Sequence, residues 1–85
     1  MKAQKKPVII DFIEYNEDLN EIKEWVKSFE DDFEKVFLLE DDHLKVYTME
    51  GTSYDVTKND VIIRGIKGEY YPCNREIFEQ TYDRL

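Results

Sequence analysis

Apolar and polar positions change period several times along the chain, and each change predicts an element. "PVIIDFIEY", from Pro7 to Tyr15, is rich in β-branched and aromatic residues and predicts a first strand, which a proline suits at its start. "NEDLNEIKEWVKSFE" then places Leu19, Ile22, Trp25, Val26 and Phe29 on one helical face, with Glu17, Glu21, Glu24 and Asp31 on another. Asn16 or Asp18 can cap that helix, and Asp18 with Glu21 has the spacing of a capping box. Three short β-type runs follow, Lys35 to Leu39, Leu44 to Met49 and Thr52 to Thr57, separated by Glu40-Asp41-Asp42 and by Glu50-Gly51. Separators this short predict antiparallel hairpins and a meander.

"TKND", Thr57 to Asp60, reads as a further turn in which Asn59 tolerates the left-handed conformation that a tight connection often needs. Val61 to Ile66 and Glu69 to Cys73 predict two more strands around a Lys67-Gly68 turn. Asn74 caps a closing helix whose Ile77, Phe78, Thr81, Tyr82 and Leu85 share a face. A helix of so few turns must dock on a sheet to be stable. The expected fold is α+β: one domain over residues 1–85, with 1–6 frayed and a curved, mostly antiparallel sheet or partly open barrel. One amphipathic helix follows the first strand, and a short helix closes the chain.

Eighty-five residues suffice for one core, and six Tyr, five Phe and one Trp must supply much of its buried area. The net charge is −8, and it is concentrated: Glu14 to Asp42 holds twelve acidic residues against three lysines. Such a field repels phosphate backbones and membrane surfaces and favours basic partners or plain solubility. No direct nucleic-acid or membrane partner is therefore expected. "MKAQKKPVII" offers only Val8, Ile9 and Ile10 before Asp11, short of a signal-peptide core or a membrane span.

With one cysteine, Cys73, and one histidine, His43, an internal disulfide and an ordinary zinc site are excluded, and a reducing cytoplasm is the expected setting. No cofactor or metal is expected. Cys73 at a helix start beside Arg75 has the placement of an activated thiolate, but no histidine adjoins it, and packing is the ordinary role of a free cysteine. Asp41-Asp42 reads as a turn, because nothing near it repeats a metal-ligand spacing.

"RGIKG" offers a second chemistry. Gly65 and Gly68 would let backbone amides approach an anion, with charge from Arg64, Lys67, Lys45 or Arg75, although the spacing is that of no nucleotide-binding fingerprint. Tyr70 and Tyr71 alternate along a strand, so one belongs in the core and the other is free for a ligand or a partner. Glu17, Glu21 and Glu24 with Asp31 and Asp32 form a candidate interaction surface, able to meet a basic partner or to imitate a phosphate backbone.

The opening "MKAQKKPVIIDFIEY" and the closing "NDVIIRGIKGEYYPCNREIFEQTYDRL" resemble the ends of small proteins of tailed bacteriophages and prophages of Gram-positive bacteria. The likeness is densest at Gly65, Lys67-Gly68-Glu69, Tyr71-Pro72-Cys73 and Ile77-Phe78. It departs at Lys58-Asn59, where those proteins carry proline-glycine. The resemblance implies a small accessory product made in an infected bacterial cytoplasm and carries over no catalytic residue. Three expectations follow: a non-catalytic module occupying a host protein, a binder of a small anionic metabolite or nucleotide signal, and an acidic nucleic-acid mimic. Self-association that completes a sheet or a pocket is a further expectation.

Overall fold

A computed structural model describes all residues, 1–85. The fold is α+β, as the periodicities predict, but its six strands divide into two antiparallel three-stranded sheets and do not close a barrel. The first sheet has the order β1-β5-β6, with β1 Asp11–Glu14, β5 Asp60–Arg64 and β6 Tyr70–Asn74. The second has the order β2-β3-β4, with β2 Phe37–Glu40, β3 His43–Tyr47 and β4 Ser53–Val56. Three helices complete it, α1 Leu19–Lys27, α2 Phe33–Val36 and α3 Arg75–Thr81. No helix is long and apolar enough to cross a membrane.

The second sheet is the predicted meander. Asp41 and Asp42 alone connect β2 to β3, both with positive φ (51° and 62°), the left-handed pair that a two-residue hairpin needs. Aspartate tolerates that region better than most residues. The turns after β3 and β5 repeat one design. Thr48 N donates to Thr52 O (2.9 Å) and Gly51 N to Thr48 O (3.0 Å), as Gly65 N does to Glu69 O (2.7 Å) and Gly68 N to Gly65 O (3.0 Å). Gly51 (φ 81°) and Gly68 (φ 79°) hold the left-handed position in each.

The chain crosses between sheets at Thr57 to Asp60, where β4 and β5 fail to pair. The Asp60 carboxylate accepts from Thr57 N (2.8 Å) and Thr57 Oγ1 (3.1 Å), and Asp60 N donates to Thr57 O (2.9 Å). The side chain thus staples the turn, and Asn59 does not use the left-handed φ that it tolerates.

Two further boundaries move, each for a physical reason. β1 begins at Asp11 and not at Pro7, because Asp11 pairs with Arg64, the last residue of β5, and Gly65 beyond it already curls into the hairpin. Residues 7–10 are left with no strand to join. Phe33–Val36 forms a helical turn that takes Lys35 and Val36 from the expected strand Lys35 to Leu39, with Lys35 N bonded to Asp32 O (3.1 Å).

α1 forms as the pattern predicts and buries Ile22 and Val26. Asp18 Oδ1 accepts from Asn20 N (3.1 Å) and Glu21 N (3.2 Å). The return bond of the capping box is rerouted: Asn16 Oδ1 takes Asp18 N (3.1 Å) while Glu21 Oε2 holds Asn16 Nδ2 (3.2 Å). At the other end Glu30 N donates to Lys27 O (2.8 Å) and Asp31 N to Val26 O (3.4 Å), a Schellman motif with Glu30 at φ 64°. The helix stops there, so Asp31 leaves the acidic face assigned to it and turns inward.

The main core joins both sheets and α1: Tyr15, Ile22, Val26, Phe37, Leu44 and Val46 pack with Val56, Ile62 and Tyr70. A smaller cluster of Val61, Ile63 and Phe78 fills the other face of the first sheet under α3. Asn74 caps α3 through Glu76 N (2.9 Å) and Ile77 N (3.4 Å). Of the face expected to dock, Phe78 is buried and Tyr82 half-buried, whereas Ile77, Thr81 and Leu85 are exposed. The helix has only seven residues and its stripe is correspondingly narrow.

Glu30 holds a left-handed conformation that costs a non-glycine residue about 1–2 kcal/mol. Glu30→Gly should therefore raise stability in urea unfolding by about 0.5–1 kcal/mol once the glycine's extra unfolded-state entropy is subtracted. A decrease would contradict the Schellman assignment.

Candidate functional site

The residues expected to cradle an anion fall in two places. Arg64, Gly65, Lys67, Gly68, Tyr70 and Tyr71 lie together on the β5–β6 hairpin. Arg75 does not join them: Asp60 pairs with Asn74 at one end of this ladder and Arg64 with Tyr70 at the other. Its Nη2 donates to Tyr15 O (2.9 Å), its Nε to Asp60 O (3.5 Å), and its Nη1 lies 3.7 Å from Glu14 Oε2. Lys45 is on β3 in the other sheet, 3.9 Å from Glu40 Oε1.

The cradle itself is occupied from within. A Cβ added at Gly65 would fall 1.5 Å from Glu69 Oε1, so that carboxylate lies directly over the glycine. The same oxygen accepts from Lys67 N at 3.4 Å, while Gly65 N and Gly68 N are spent on the hairpin. Glu69 is the anion of this turn.

Arg64 is likewise committed. Its guanidinium lies over the Phe29 ring at 4.4 Å and beside the Tyr70 ring at 5.9 Å. Arg64 Nε is 3.7 Å from Asp31 Oδ2, ion-pair range but too long for a hydrogen bond, and this buried nitrogen has no hydrogen-bond partner. The Asp31 oxygen is taken by the Tyr70 hydroxyl, which donates at 2.7 Å. Tyr70 is the core tyrosine of the pair, edge-on to Trp25 at 5.8 Å and tilted to Phe37 at 6.1 Å. Tyr71 packs in the smaller cluster, half-buried, and the bond from it to Pro72 is trans.

The acidic surface is thinner than the charge count implies. Glu17, Glu21, Glu24 and Asp32 are exposed, but Glu17 is 3.7 Å from Lys58 Nζ and Asp32 is 3.5 Å from Lys35 Nζ. Exposed pairs like these contribute little to stability and leave the local field negative. Asp31 belongs to the Tyr70–Arg64 cluster instead.

Cys73 is half-buried, its thiol donating to Asn74 O at 3.6 Å. Burial pushes that thiol up, and the Asp60 charge adds to it, the reverse of what an attacking thiolate needs. No hydrogen bond links it to His43, which is exposed at the start of β3 in the other sheet.

The two best-formed hollows are candidate places for a ligand. The larger, of about 810 Å³, lies between residues 5–12 and the end of α3, and much of its wall is the segment before β1, which makes no backbone hydrogen bond. The smaller, of about 300 Å³, lies between the β3–β4 turn and the start of β6, on hairpins fixed by the bonds given above. Tyr54, Tyr70 and Tyr71 line it with Thr48, Met49, Glu50 and Glu69, and no lysine or arginine does. Tyr54 is 47% exposed and Met49 70%, so each still has surface to bury. Sequence reasoning placed Tyr70 and Tyr71 here but missed Tyr54, Met49, Glu50 and Glu69. Only the tertiary fold sets the β3–β4 turn beside β6.

No protein-family model, curated protein or solved structure matches the chain.

Burial, followed by the hydrogen bond to Asp31, pushes Tyr70 up from 10.0 to about 12. Burial, followed by the neighbouring Tyr82 hydroxyl, pushes Tyr71 up to about 12. In each case the folded state holds its proton more tightly than the unfolded chain does. The resulting stability is complete below pH 10 and is lost as pH rises towards about 12. Tyr70→Phe should cost about 1–2 kcal/mol at neutral pH by removing a hydrogen bond to a carboxylate. It should also flatten the alkaline limb of stability against pH in urea unfolding, and an unchanged limb would contradict the assignment.

Proposed function

We propose that the chain is a non-catalytic binding module that takes a lysine or arginine side chain of a partner protein into the cleft between its hairpins. The supporting observation is the lining itself: the exposed ring of Tyr54 and the carboxylates of Glu50 and Glu69 border an open hollow that Tyr70 and Tyr71 also line and no basic residue enters. A cation over the exposed Tyr54 face gains about 0.5–1 kcal/mol. The size also fits, since about 300 Å³ is at the small end of ligand sites and suits one side chain better than a nucleotide. Glu17, Glu21 and Glu24 extend the negative field over α1 and would speed encounter with a basic surface.

The likeness of both ends of the chain to small phage proteins supports a host protein of the bacterial cytoplasm as that partner. The same lining argues against the anionic-ligand reading, because a phosphate at Gly65 would have to displace the Glu69 carboxylate. It would also enter a chain of net charge −8.

A fluorescent hexa-arginine peptide should bind saturably at low salt and weaken as salt rises. Tyr54→Ala and Glu50→Lys should each raise its Kd about fivefold or more, the equivalent of about 1 kcal/mol. Glu34→Lys, the same charge change at an exposed site on α2, should have a smaller effect. Equal losses at Glu50 and Glu34 would mean that only the general field attracts the peptide, and absence of saturation would refute the reading.

A further inference from the structure

We infer that two copies of this chain pair through the open edge of β1, residues 6–14 of each running antiparallel to form a continuous six-stranded sheet. This surface shares no residue with the tyrosine-lined cleft.

Hydrogen-bond parity fixes which groups are available. Tyr15 N donates to Asp60 O at 3.2 Å in the register that pairs Asp11 with Arg64, so Asp11, Ile13 and Tyr15 exchange bonds with β5. The amides and carbonyls of Phe12 and Glu14 therefore point outward, at an edge no other strand occupies. Immediately before them lies Val8-Ile9-Ile10, a β-branched run of the kind most enriched in strands. Residues 1–10 make no backbone hydrogen bond, and Val8 and Ile9 are 39% and 78% exposed.

The two prolines separate the two edges of this sheet. On β6, Arg75 N bonds to Asn59 O (2.7 Å) and Gly65 N to Glu69 O (2.7 Å), so Tyr70, Pro72 and Asn74 hold the outward register. Pro72 has no N–H to offer, which blocks that edge against another strand. Continued along β1, the outward register falls on Val8 and Ile10, and Pro7 takes the inward one. Its missing N–H is on the side a partner strand does not use.

A two-fold axis at Ile10 makes the outward residues self-complementary. It sets Ile10 opposite Ile10, Val8 opposite Phe12 and Lys6 opposite Glu14. Val8 then shares a face with Ile10 and Phe12, both packed in the cluster under α3. An axis one residue later would oppose Asp11 to Asp11, two carboxylates directly across the pair. The segment supplies Lys2, Lys5 and Lys6 with no acid, and the chain it meets carries net charge −8. Charge therefore favours a crossed pair.

The test uses the full chain in analytical ultracentrifugation. The wild type should sediment with twice the monomer mass at high micromolar concentration. Val8→Pro removes an outward N–H and should return it to monomer, whereas Ile9→Pro removes an inward one and should leave the dimer intact. Neither residue makes a backbone bond within one chain, so matched thermal midpoints will show that both variants fold. In a Cys73→Ser background, Ile10→Cys should cross-link on oxidation as its β-carbons meet across the axis, and Val8→Cys should not. A monomeric wild type, equal behaviour of the two proline variants, or cross-linking at residue 8 in place of 10 would each overturn the arrangement.

Discussion

Strands of four and five residues in two small sheets bury little on their own, and the larger of the two cores lies at the seam where the sheets pack together. Tyr70 is the side chain at that seam. It comes from the edge of the first sheet, meets Phe37 from the second and Trp25 from α1, and bonds the Asp31 carboxylate just beyond α1. Ile62, Leu44, Val46 and Val56 belong to the same cluster. Thirteen of 85 residues are buried, so no part of the core can be lost cheaply. Domains of this size keep only about 0.05–0.15 kcal/mol of stability per residue.

The same seam explains why so few of the charges are available for recognition. Arg64 stacks on Phe29 beside Asp31, Arg75 ties β1 to β5 through two carbonyl oxygens, and Arg84 bridges Glu14 and Glu79. The Arg84 hydrogen bond is the main cause holding the Glu14 carboxyl below its usual range. Asp60 staples the crossing between sheets and Glu69 fills the β5–β6 turn. Each is a charge that reads as ligand chemistry in sequence and serves as an internal counter-ion or cap in the fold. The charged side chains that line the cleft itself are Glu50 and Glu69, while Lys67 stands exposed in the adjoining turn.

Local periodicity made most of the elements legible. α1, the β2-β3-β4 meander, the β5–β6 hairpin and the Asn74 cap all follow from residue spacing, because each depends on contacts within about a dozen residues. The departures involve distance or handedness. The length of β1 depends on where β5 runs out of partners, about fifty residues later. The exit of α1 depends on Glu30 taking a left-handed conformation for which its side chain gives no sign. Asp31 could not be separated from the acidic face without knowing that Tyr70, thirty-nine residues away, would claim it. The candidate site was half visible for the same reason. Tyr70 and Tyr71 are marked by their own segment, but Tyr54 and Glu50 become neighbours only when the two sheets pack.

Small recognition modules face a constraint of scale. A cleft that holds one side chain over one exposed ring supplies about 0.5–1 kcal/mol, far below what a specific complex needs. Long-range attraction raises the encounter rate but is screened within about 8 Å at physiological ionic strength. A second copy joined at the β1 edge changes that arithmetic without adding a contact to the cleft. The edge uses residues 6–14 and the cleft residues 48–54 and 69–71, so one does not obstruct the other. Two clefts on one rigid sheet present a partner with a second site at high local concentration, and avidity from such linkage reaches about 10²–10⁴ when the spacing fits. In the proposed dimer, selectivity would come from the distance between two basic side chains on the partner, which a continuous six-stranded sheet would set and a single 85-residue domain cannot.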